Sequence, residues 1–567
     1  MRISRVVVVG ALAVTAVACS DRLNVSNENS PDAARALARP TDVENLVGSS
    51  YFAVHDATLG DATASGGGAN DAIEPQAICF GLESYSNLGN FDMGIRCATP
   101  RIPIDNTRGN PGLAGNYRDW LNLHKAARQA AVGLGRLNDP TFTFFPPNAA
   151  QLARDKAFAH FVIGAALGDI ALIYDQGSAI SPTDPPTGPA LPLIAYDTLM
   201  RYALAELDSA VAIGGAAGAA SAFPTPGSWF DGLALTQAQF VAFVRAYRAR
   251  FRAGVARTAA DRAAADWTTI RNDALAGAAA FPADFNLPIV RANGWDVAWP
   301  IQHYASISSN WHMMWQFMMG MADTSGAYQA WLATPQANRL PFVVVTPDTR
   351  FPPGTTRNAQ TQASCGSLTA CGSALPAGMY FRNRPTGLDW SGEPLASSFY
   401  DHYRFFGFYL AGRNGNYPIF TTAEMNMLAA EGYIRQSNFD AAAALINLTR
   451  TAHGLPALPN GMTAASVVPG GAACVPKFTT DNATAQCGTI LEAMKWEKRI
   501  EGAFTGPYMW YTDSRGWGDL PEGTALMWPT PYQEIDTRQS GANPPGYTNY
   551  YGGAGGQNAA PKGTYGI

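Results

Sequence analysis

The sequence predicts a mostly α-helical protein, in which tetratricopeptide-like helical hairpins form a scaffold that carries a large irregular, loop-rich insertion. Three observations favour this class. Long Ala-rich stretches repeat their apolar residues with the helical period of 3.6. Capping patterns precede two such stretches, at Thr236 and at Thr421. Between 281 and 417 the helical period fades, and aromatic residues, proline and asparagine crowd together.

The chain begins with a segment typical of secretion. Two arginines precede an apolar run that ends at Ala18 and is too short for a permanent membrane span, and Cys19 follows small residues. This pattern predicts a signal peptide over residues 1–18. Residues 19–40 then form a lipidated N-terminus, with Cys19 as the lipidated residue, and a polar tether. The alternative is an ordinary secreted protein with a chance cysteine near the cleavage point.

Helical pairs are predicted in the first half of the scaffold, after a Gly/Asn-rich loop region at 58–116. Asn-Asp-Pro at 138–140 and Asp-Gln-Gly at 175–177 are clear helix ends. The predicted helices begin near Thr41 and continue over 120–137, 152–174, 196–213, 236 to about 259, and 266–280.

The clearest hairpin spans 34 residues, from Thr421 to Gly454, which is the length of a tetratricopeptide repeat. Thr421 and Glu424 form a capping-box pattern, Asp440 is the predicted N-cap of the second helix, and Gly454 ends that helix. The generic signature of the repeat is incomplete. An ordinary helical hairpin therefore remains open as the alternative.

Composition describes a globular chain with material for a large core, because 47% of its 567 residues are apolar and 15% are charged. The net charge is −5, and no Lys/Arg run follows the N-terminus, so a nucleic-acid partner is not expected. No second apolar run of about 20 residues is evident, so a lipid anchor is the expected membrane attachment. We predict a single domain over 41–567, with its scaffold at about 41–280 and 418–535 and its insertion at about 281–417.

Six cysteines remain after Cys19, and they fall into three sequence-local couples within loop-like stretches. Six cysteines allow 15 pairings, but local pairing is the simplest in an oxidising compartment. The predicted disulfides join Cys79 with Cys97, Cys365 with Cys371, and Cys474 with Cys487. No C-x-x-C and no histidine at ligand spacing accompanies them, so neither a metal site nor a cofactor is predicted.

Catalytic motifs are missing from the sequence. It contains no H-E-x-x-H, no G-x-S-x-G and no Walker loop. The prediction is therefore that the protein is not an enzyme. A glycosidase built from carboxylates distant in sequence remains open as an alternative.

Two stretches offer the residues that a sugar site needs. Flat pyranose faces stack on aromatic rings, while amides and charged groups bind the hydroxyls in a shallow, wet site. The alternative for Trp311 and Trp315, four residues apart, is one buried helix face, and a peptide ligand would suit the same side chains. The candidate ligand-binding residues are Tyr85, Asn87 and Asn90 in the first stretch and Trp295, Trp299, Tyr304, Trp311 and Trp315 in the second.

A C-terminal pattern carries the most specific information about family. Arg499-Ile500-Glu501-Gly502 is followed by Asp513-Ser514-Arg515-Gly516-Trp517-Gly518. The charged residues of this region could lock the C-terminal segment onto the scaffold, or form a catalytic carboxylate pair as the alternative. They are Glu492, Glu497, Arg499, Glu501, Asp513 and Arg515.

This pattern resembles the SusD/RagB family of outer-membrane nutrient-binding lipoproteins. The resemblance extends to four other parts of the chain: the lipidated start at 19–25, the first helix at 40–46, the Tyr-x-x-Gly turn that ends 167–177, and the hairpin segments 420–431 and 447–455. The C-terminal motif departs from the family in about five extra residues around 503–508, and in Ser514 and Gly516, which replace leucine and arginine. The resemblance does not extend to the aromatic insertion.

The resemblance implies a SusD-like fold and a lipid-anchored position at the cell surface of the outer membrane. It also implies capture of an extracellular nutrient, an oligosaccharide foremost, and its delivery to a SusC-like TonB-dependent outer-membrane transporter. Two alternatives remain open: an extracellular polysaccharide hydrolase, and a structural or adhesive surface lipoprotein without a soluble ligand.

Overall fold

A computed structural model describes residues 37–60, 72–87, 93–110, 114–185, 190–298, 312–389, 392–539, 551–553, 556 and 558–567. The predicted signal peptide, Cys19 and nearly all of the tether lie outside these ranges and stay predictions.

Helices make up most of the regular structure. The α-helices are α1 (Pro40–Gly48), α2 (Ser50–Thr58), α3 (Ile73–Phe80), α4 (Met93–Cys97), α5 (Ala114–Leu137), α6 (Ala149–Ile173), α7 (Tyr196–Gly214), α8 (Gln237–Gly254), α9 (Ala259–Ala263), α10 (Trp267–Ala280), α11 (Gln316–Met319), α12 (Ala327–Ala333), α13 (Arg357–Cys365), α14 (Phe406–Leu410), α15 (Thr422–Arg435), α16 (Phe439–Arg450), α17 (Ile490–Gly502), α18 (Met509–Trp517) and α19 (Tyr532–Gln539). Short 3₁₀ turns lie at Ala217–Ala222, Gly227–Phe230, Arg291–Asn293, Gly320–Ala322, Gln336–Asn338 and Gly471–Ala473.

The strands are short and form two-stranded antiparallel pairs. They are β1 (Ile104–Asp105), β2 (Gln176–Gly177), β3 (Ile194–Ala195), β4 (Phe285–Ile289), β5 (Phe381–Asn383), β6 (Tyr400–His402), β7 (Gly415–Phe420), β8 (Lys477–Thr479), β9 (Ala485–Cys487) and β10 (Tyr551–Gly552). The pairs are β1–β10, β2–β3, β4–β7, β5–β6 and β8–β9.

The scaffold is a row of helices in which each helix packs on the next. α5 packs on α6, α6 on α7, α7 on α8, α8 on α10, and α10 on α15, which also packs on α16 and α17. Small residues permit this close approach: a Cβ on Gly164 of α6 would lie 2.8 Å from the Ala203 carbonyl oxygen of α7. The predicted mostly α-helical class is confirmed. The helix predicted to reach about 259 ends earlier, at Gly254, because Thr258 and Asp261 form a capping box that starts α9.

Helix α6 corrects the expectation that no second long apolar run exists. By length and composition alone it could cross a membrane, and it is the one helix among the described residues that meets this test. However, 89% of its most apolar window is buried inside the protein. Its all-round apolar character therefore reflects a position in the centre of the helical row.

The hairpin of α15 and α16 shows where local capping rules are overridden. The Thr421 hydroxyl accepts a hydrogen bond from the Glu424 backbone N–H at 2.9 Å, as predicted. The Glu424 carboxylate does not return the bond, because it forms a buried ion pair with Arg250 of α8 at 2.6 Å. Asn438, rather than Asp440, caps α16, and Asp440 lies in the first turn, where its charge complements the helix dipole.

Replacing Thr421 by alanine should lower the free energy of unfolding by about 1 kcal/mol, because the α15 N-terminus loses its side-chain acceptor. Urea unfolding measures this loss. Thr421→Ser keeps the hydroxyl and is the matched control. Equal destabilisation by both substitutions would show that the methyl group, not the cap, carries the effect.

The region from 281 to 417 is irregular, as predicted, with only short helices and strands among its described residues. Over 312–322 the helical structure is limited to α11 and a following 3₁₀ turn. Many of its apolar residues form a second hydrophobic core with residues of α3, α17 and α18, including Ile78, Trp315, Phe381, Trp496 and Trp510. The insertion is therefore a packed part of the protein rather than a surface appendage.

Three disulfides join the predicted local couples: Cys79 with Cys97, Cys365 with Cys371, and Cys474 with Cys487. The prediction from sequence spacing is confirmed. Each bridge closes a short loop, and the first one links the end of α3 to the end of α4.

The charged residues of the C-terminal pattern lock α17 and α18 into the protein, as predicted. Arg262 of α9 binds both Glu431 of α15 at 2.6 Å and Asp513 of α18 at 2.9 Å. Arg499 of α17 binds Asp519 at 2.6 Å. All of these side chains are buried, so removal of one partner would leave an uncompensated charge inside the protein.

Arg515 has a different function in the same lock. Its guanidinium donates to four backbone carbonyl oxygens, those of Leu172, Gly254, Ala256 and Leu526, at 2.8–3.1 Å. Leu172 and Gly254 lie at the C-terminal ends of α6 and α8, where helix carbonyls lack intrahelical partners. One arginine of α18 therefore caps two scaffold helices.

Candidate functional site

The two sequence stretches proposed for ligand binding meet in the structure. The Tyr85 backbone N–H donates to the Met313 carbonyl at 2.7 Å, and the Met313 N–H donates back to Tyr85 at 3.0 Å. The Trp315 indole N–H binds the Ser84 carbonyl at 3.0 Å. Residues about 230 positions apart in sequence thus form one local structure.

Burial corrects the ligand-contact prediction for Tyr85 and Trp315. Tyr85 is 4% exposed and Trp315 is 0% exposed, and their rings pack edge to face with centroids 5.3 Å apart. A stacking platform needs an open ring face. These two residues therefore pack inside the protein and present no open ring face to a ligand.

Trp295 is also buried, so it needs the same correction. It is 5% exposed, and its ring lies 4.9 Å from that of His55 and 5.3 Å from that of Phe52. His55 binds the Asp296 carbonyl through Nε2 at 2.7 Å, and burial lowers the pKa of His55 to about 4. Trp295 thus packs the insertion against α2.

Of the remaining candidates, only Asn87 lies among the described residues, and its side chain is exposed next to the buried Tyr85. Asn90, Trp299, Tyr304 and Trp311 lie outside the described residues, and their contact with a ligand stays a prediction. The residues on either side of 299–311 are held by hydrogen bonds. Ala298 donates to the Leu59 carbonyl at 2.9 Å, and Met313 pairs with Tyr85.

A polar cluster borders the segment that contains Trp299. Asp296 accepts from Arg413 at 2.7 Å and from Arg291 at 3.0 Å, and the Arg291 side chain is 46% exposed. Phe52, half-buried, lies beside it against Trp295. This edge combines a partly open aromatic ring with guanidinium groups, which suits a hydroxylated ligand. Sequence reasoning missed Arg291, Arg413 and Phe52, because no local pattern links α2 to residues 291 and 413.

A second polar surface lies on the other side of Tyr85. The Thr99 backbone N–H binds Glu393 at 2.7 Å, and the Glu393 N–H binds the Tyr85 hydroxyl at 3.4 Å. Burial raises the pKa of Glu393. Next to Thr99 opens a cavity of about 570 Å³, with polar lining from Arg101, Gln336, Asn482, Glu522 and Lys562. It offers both donors and acceptors, but none of the predicted aromatics that the structure describes, Tyr85, Trp295 and Trp315, lines it.

A larger groove of about 660 Å³ runs along α5 and is lined in part by Tyr117, His124, Arg128 and Arg538. His124 is a neutral imidazole held in place: Nδ1 bonds the Trp120 carbonyl at 2.8 Å, Nε2 accepts from the Ser178 N–H at 3.2 Å, and burial lowers its pKa to about 4. Sequence reasoning missed this groove. The recurrence of polar and aromatic residues at helical spacing along α5 was the available signal.

The carboxylates considered for catalysis each form an ion pair with a buried lysine or arginine. Glu492 binds Lys495 at 2.9 Å, Glu497 and Glu501 both bind Arg350 at 2.9 Å, and Asp513 binds Lys498 at 2.7 Å. This arrangement is that of a structural network. Within the described ranges, no group of three or more His, Cys, Asp or Glu residues is arranged to hold a metal ion.

No protein-family model matches the sequence, and no curated protein matches it. Solved structures do resemble it. A SusD superfamily protein from Bacteroides thetaiotaomicron VPI-5482 is 13% identical with a TM-score of 0.53, covering 88% of this chain and 96% of that chain. One from Bacteroides fragilis is 12% identical with a TM-score of 0.49, covering 89% and 99%. A laminarin-binding SusD-like protein is 12% identical with a TM-score of 0.44, covering 88% and 98%.

The first of these likenesses spans nearly the whole of both chains, while its sequence identity is too low to carry over a ligand or a site. The protein therefore has the fold of the SusD superfamily, which confirms at the level of the fold the resemblance found in its sequence.

Proposed function

We propose that this protein is a lipid-anchored outer-membrane protein that binds an extracellular nutrient, foremost an oligosaccharide, at the cell surface and delivers it to a TonB-dependent, SusC-like transporter. The observation that carries the proposal is the SusD superfamily fold, shared over 96% of the Bacteroides thetaiotaomicron protein. Energy for uptake would come through the transporter.

Two features of this chain support the location. The three disulfides suit an oxidising compartment. The sequence before the described residues has the pattern of a secretion signal followed by Cys19. Both agree with a protein exported from the cytoplasm and held at a membrane surface by acylation of Cys19.

We place the ligand at the surface between the Asp296–Arg413 pair and Asn87. Two observations support this proposal: Tyr85 pairs with Met313, where the two predicted stretches meet, and Trp295 is anchored against Phe52 and His55. The stacking partners proposed for the sugar are Trp299, Tyr304 and Trp311. Asn87, Asn90 and Arg291 would supply polar contacts to the hydroxyl groups.

Affinity electrophoresis in gels that contain soluble polysaccharides tests the binding and the site together. Single substitutions Trp299→Ala and Trp311→Ala should each reduce retardation, by about 5-fold to 150-fold in affinity, because one stacked ring contributes about 1–3 kcal/mol. Phe145→Ala, which removes a fully exposed ring on the loop between α5 and α6, is the matched control and should bind like the parent. Parent-like binding by both tryptophan variants would place the site elsewhere.

Three further assays on the same purified protein distinguish the alternative functions. Release of reducing ends from a retarding polysaccharide would establish a hydrolase. Failure to bind any glycan or peptide on arrays, together with no transporter in pull-downs from source membranes, would favour a structural or adhesive lipoprotein. Binding to peptides but not to glycans would keep the transport proposal and change the ligand class.

A further inference from the structure

The most exposed large apolar side chain among the described residues is Phe145, in the loop between α5 and α6. It is 98% exposed, and the next, Leu340, is 76% exposed. The two residues that follow, Pro146 and Pro147, are exposed as well. Single exposed apolar residues are common, but a whole phenylalanine ring in water is not.

The loop holds this ring outward. Phe142 and Phe144 on either side of exposed Thr143 are buried, at 7% and 6%, with their rings edge to face at 5.3 Å. Before them, the Asp139 carboxylate accepts from the Thr141 N–H at 2.8 Å. After them, Asn148 caps α6 by accepting from Gln151 at 3.0 Å. The prolines limit the backbone further. Because its neighbours are anchored, Phe145 cannot turn inward to join them.

The same loop lies where the described chain begins. The Arg136 Nε donates to the Leu37 carbonyl at 3.1 Å, and its guanidinium stacks over the Phe142 ring at 5.3 Å. Leu37 packs against the core that contains Phe142 and Phe144. The tether from Cys19 therefore joins the folded protein next to Phe145.

The segment that carries the ring contains no charged residue of its own. No Asp, Glu, Lys or Arg occurs between Asp139 and Arg154. A protein partner usually recognises an aromatic anchor within a rim of polar contacts. A single ring on a short segment without charged residues is a small contact for a protein partner, whereas aromatic rings are favoured at the interface between lipid and water.

We propose that Phe145 inserts into the lipid surface to which the chain is anchored, and that this contact sets which face of the protein points away from the membrane. The inference rests on the anchoring part of the proposed function. A single attachment point leaves a rigid body free to tilt on a surface. A second contact close to residue 37 restricts that tilt.

Site-specific fluorescence tests the insertion. The chain from residue 20, with an N-terminal His tag, is bound to phosphatidylcholine vesicles that contain a nickel-chelating lipid. Phe145→Cys carries an environment-sensitive NBD probe, and since the six cysteines of this form are in disulfides, the new thiol is the one labelled. Leu340→Cys, at an exposed position in the irregular insertion, is the control.

The expected result is a blue shift at position 145 and at least threefold stronger quenching there by nitroxide-labelled lipid than at position 340. Equal quenching at both positions, or a probe at 145 that responds only when transporter is added, would overturn the proposal. The His tag supplies attachment whether or not Cys19 is acylated in cells. Mass spectrometry of native Cys19 then tests the anchor separately, so the two failures are distinguishable.

Discussion

Replacing Arg350 by methionine is expected to lower the free energy of unfolding by about 3–5 kcal/mol, because it leaves buried carboxylates without their cation. Arg350 is fully buried and lies in the irregular insertion. It binds Asp348 at 2.7 Å and both Glu497 and Glu501 of α17 at 2.9 Å. Urea unfolding followed by circular dichroism measures the loss.

The matched control is Arg201→Met on α7. Its partner Asp197 lies 3.2 Å away, but the two side chains are 69% and 54% exposed. An exposed pair of this kind contributes less than about 1 kcal/mol. If both substitutions changed stability equally, the buried pairs would not hold the insertion to α17, and the structural account of the C-terminal pattern would fail.

Stability should fall as the pH rises from about 6.5 to 8. Burial raises the pKa of Glu83 and of Asp169 to about 8, far above their unfolded values. Such groups keep their protons in the folded state and lose them on unfolding, so their contribution is complete at low pH and is lost as pH rises through the folded pKa. Each contributes a slope of the order of 1 kcal/mol per pH unit.

Other groups act in the opposite direction at lower pH. Burial lowers the pKa of His55 and His124 to about 4, and the pKa of Glu431 is lowered to about 2 despite burial, through its ion pair with Arg262. Their contributions are lost as pH falls, from about 6.5 for the histidines and about 4.5 for the carboxylate. Between about pH 4.5 and 6.5 the two histidines therefore offset the loss from Glu83 and Asp169, and above about pH 6.5 the decline caused by the buried carboxyls is no longer offset.

Glu83→Gln isolates one of these carboxyls. The Glu83 oxygen accepts from the Phe504 N–H at 2.7 Å, and a glutamine can keep that bond while removing the titration. The variant should show a flatter decline between pH 6.5 and 8 and greater stability than the parent at pH 8. Glu522→Gln, at an exposed position, is the control. An unchanged slope in Glu83→Gln, or a parent whose stability rises over this range, would contradict the assignment.

Local patterns predicted the local features well. Helical period placed α5, α6, α7 and α10, and sequence proximity paired the cysteines. The Thr236 capping box is complete because its partner Gln239 has no competing contact. The Thr421 capping box is half formed because the Glu424 carboxylate binds Arg250, which is 174 positions away in sequence. Local rules hold until a distant charge offers a stronger partner.

The candidate site shows the same limit. The sequence identified the two stretches that meet, but aromatic composition cannot separate a stacking platform from a packed core residue. Trp315 is buried because its indole binds Ser84, and Trp295 because it fills the space between His55 and Phe52. These contacts arise only from the fold. The exposed Phe145 was missed for the converse reason, since its two buried neighbours make the whole segment resemble core.

Hydroxyl-radical footprinting of the protein with and without a retarding oligosaccharide tests the central claim most directly. Carbohydrate binding between the two sequence stretches predicts protection of Trp299, Tyr304 and Trp311, with Phe145 oxidised equally in both samples. Protection confined to Tyr117 and His124 in the groove along α5, with the three aromatics unchanged, would contradict the proposed site.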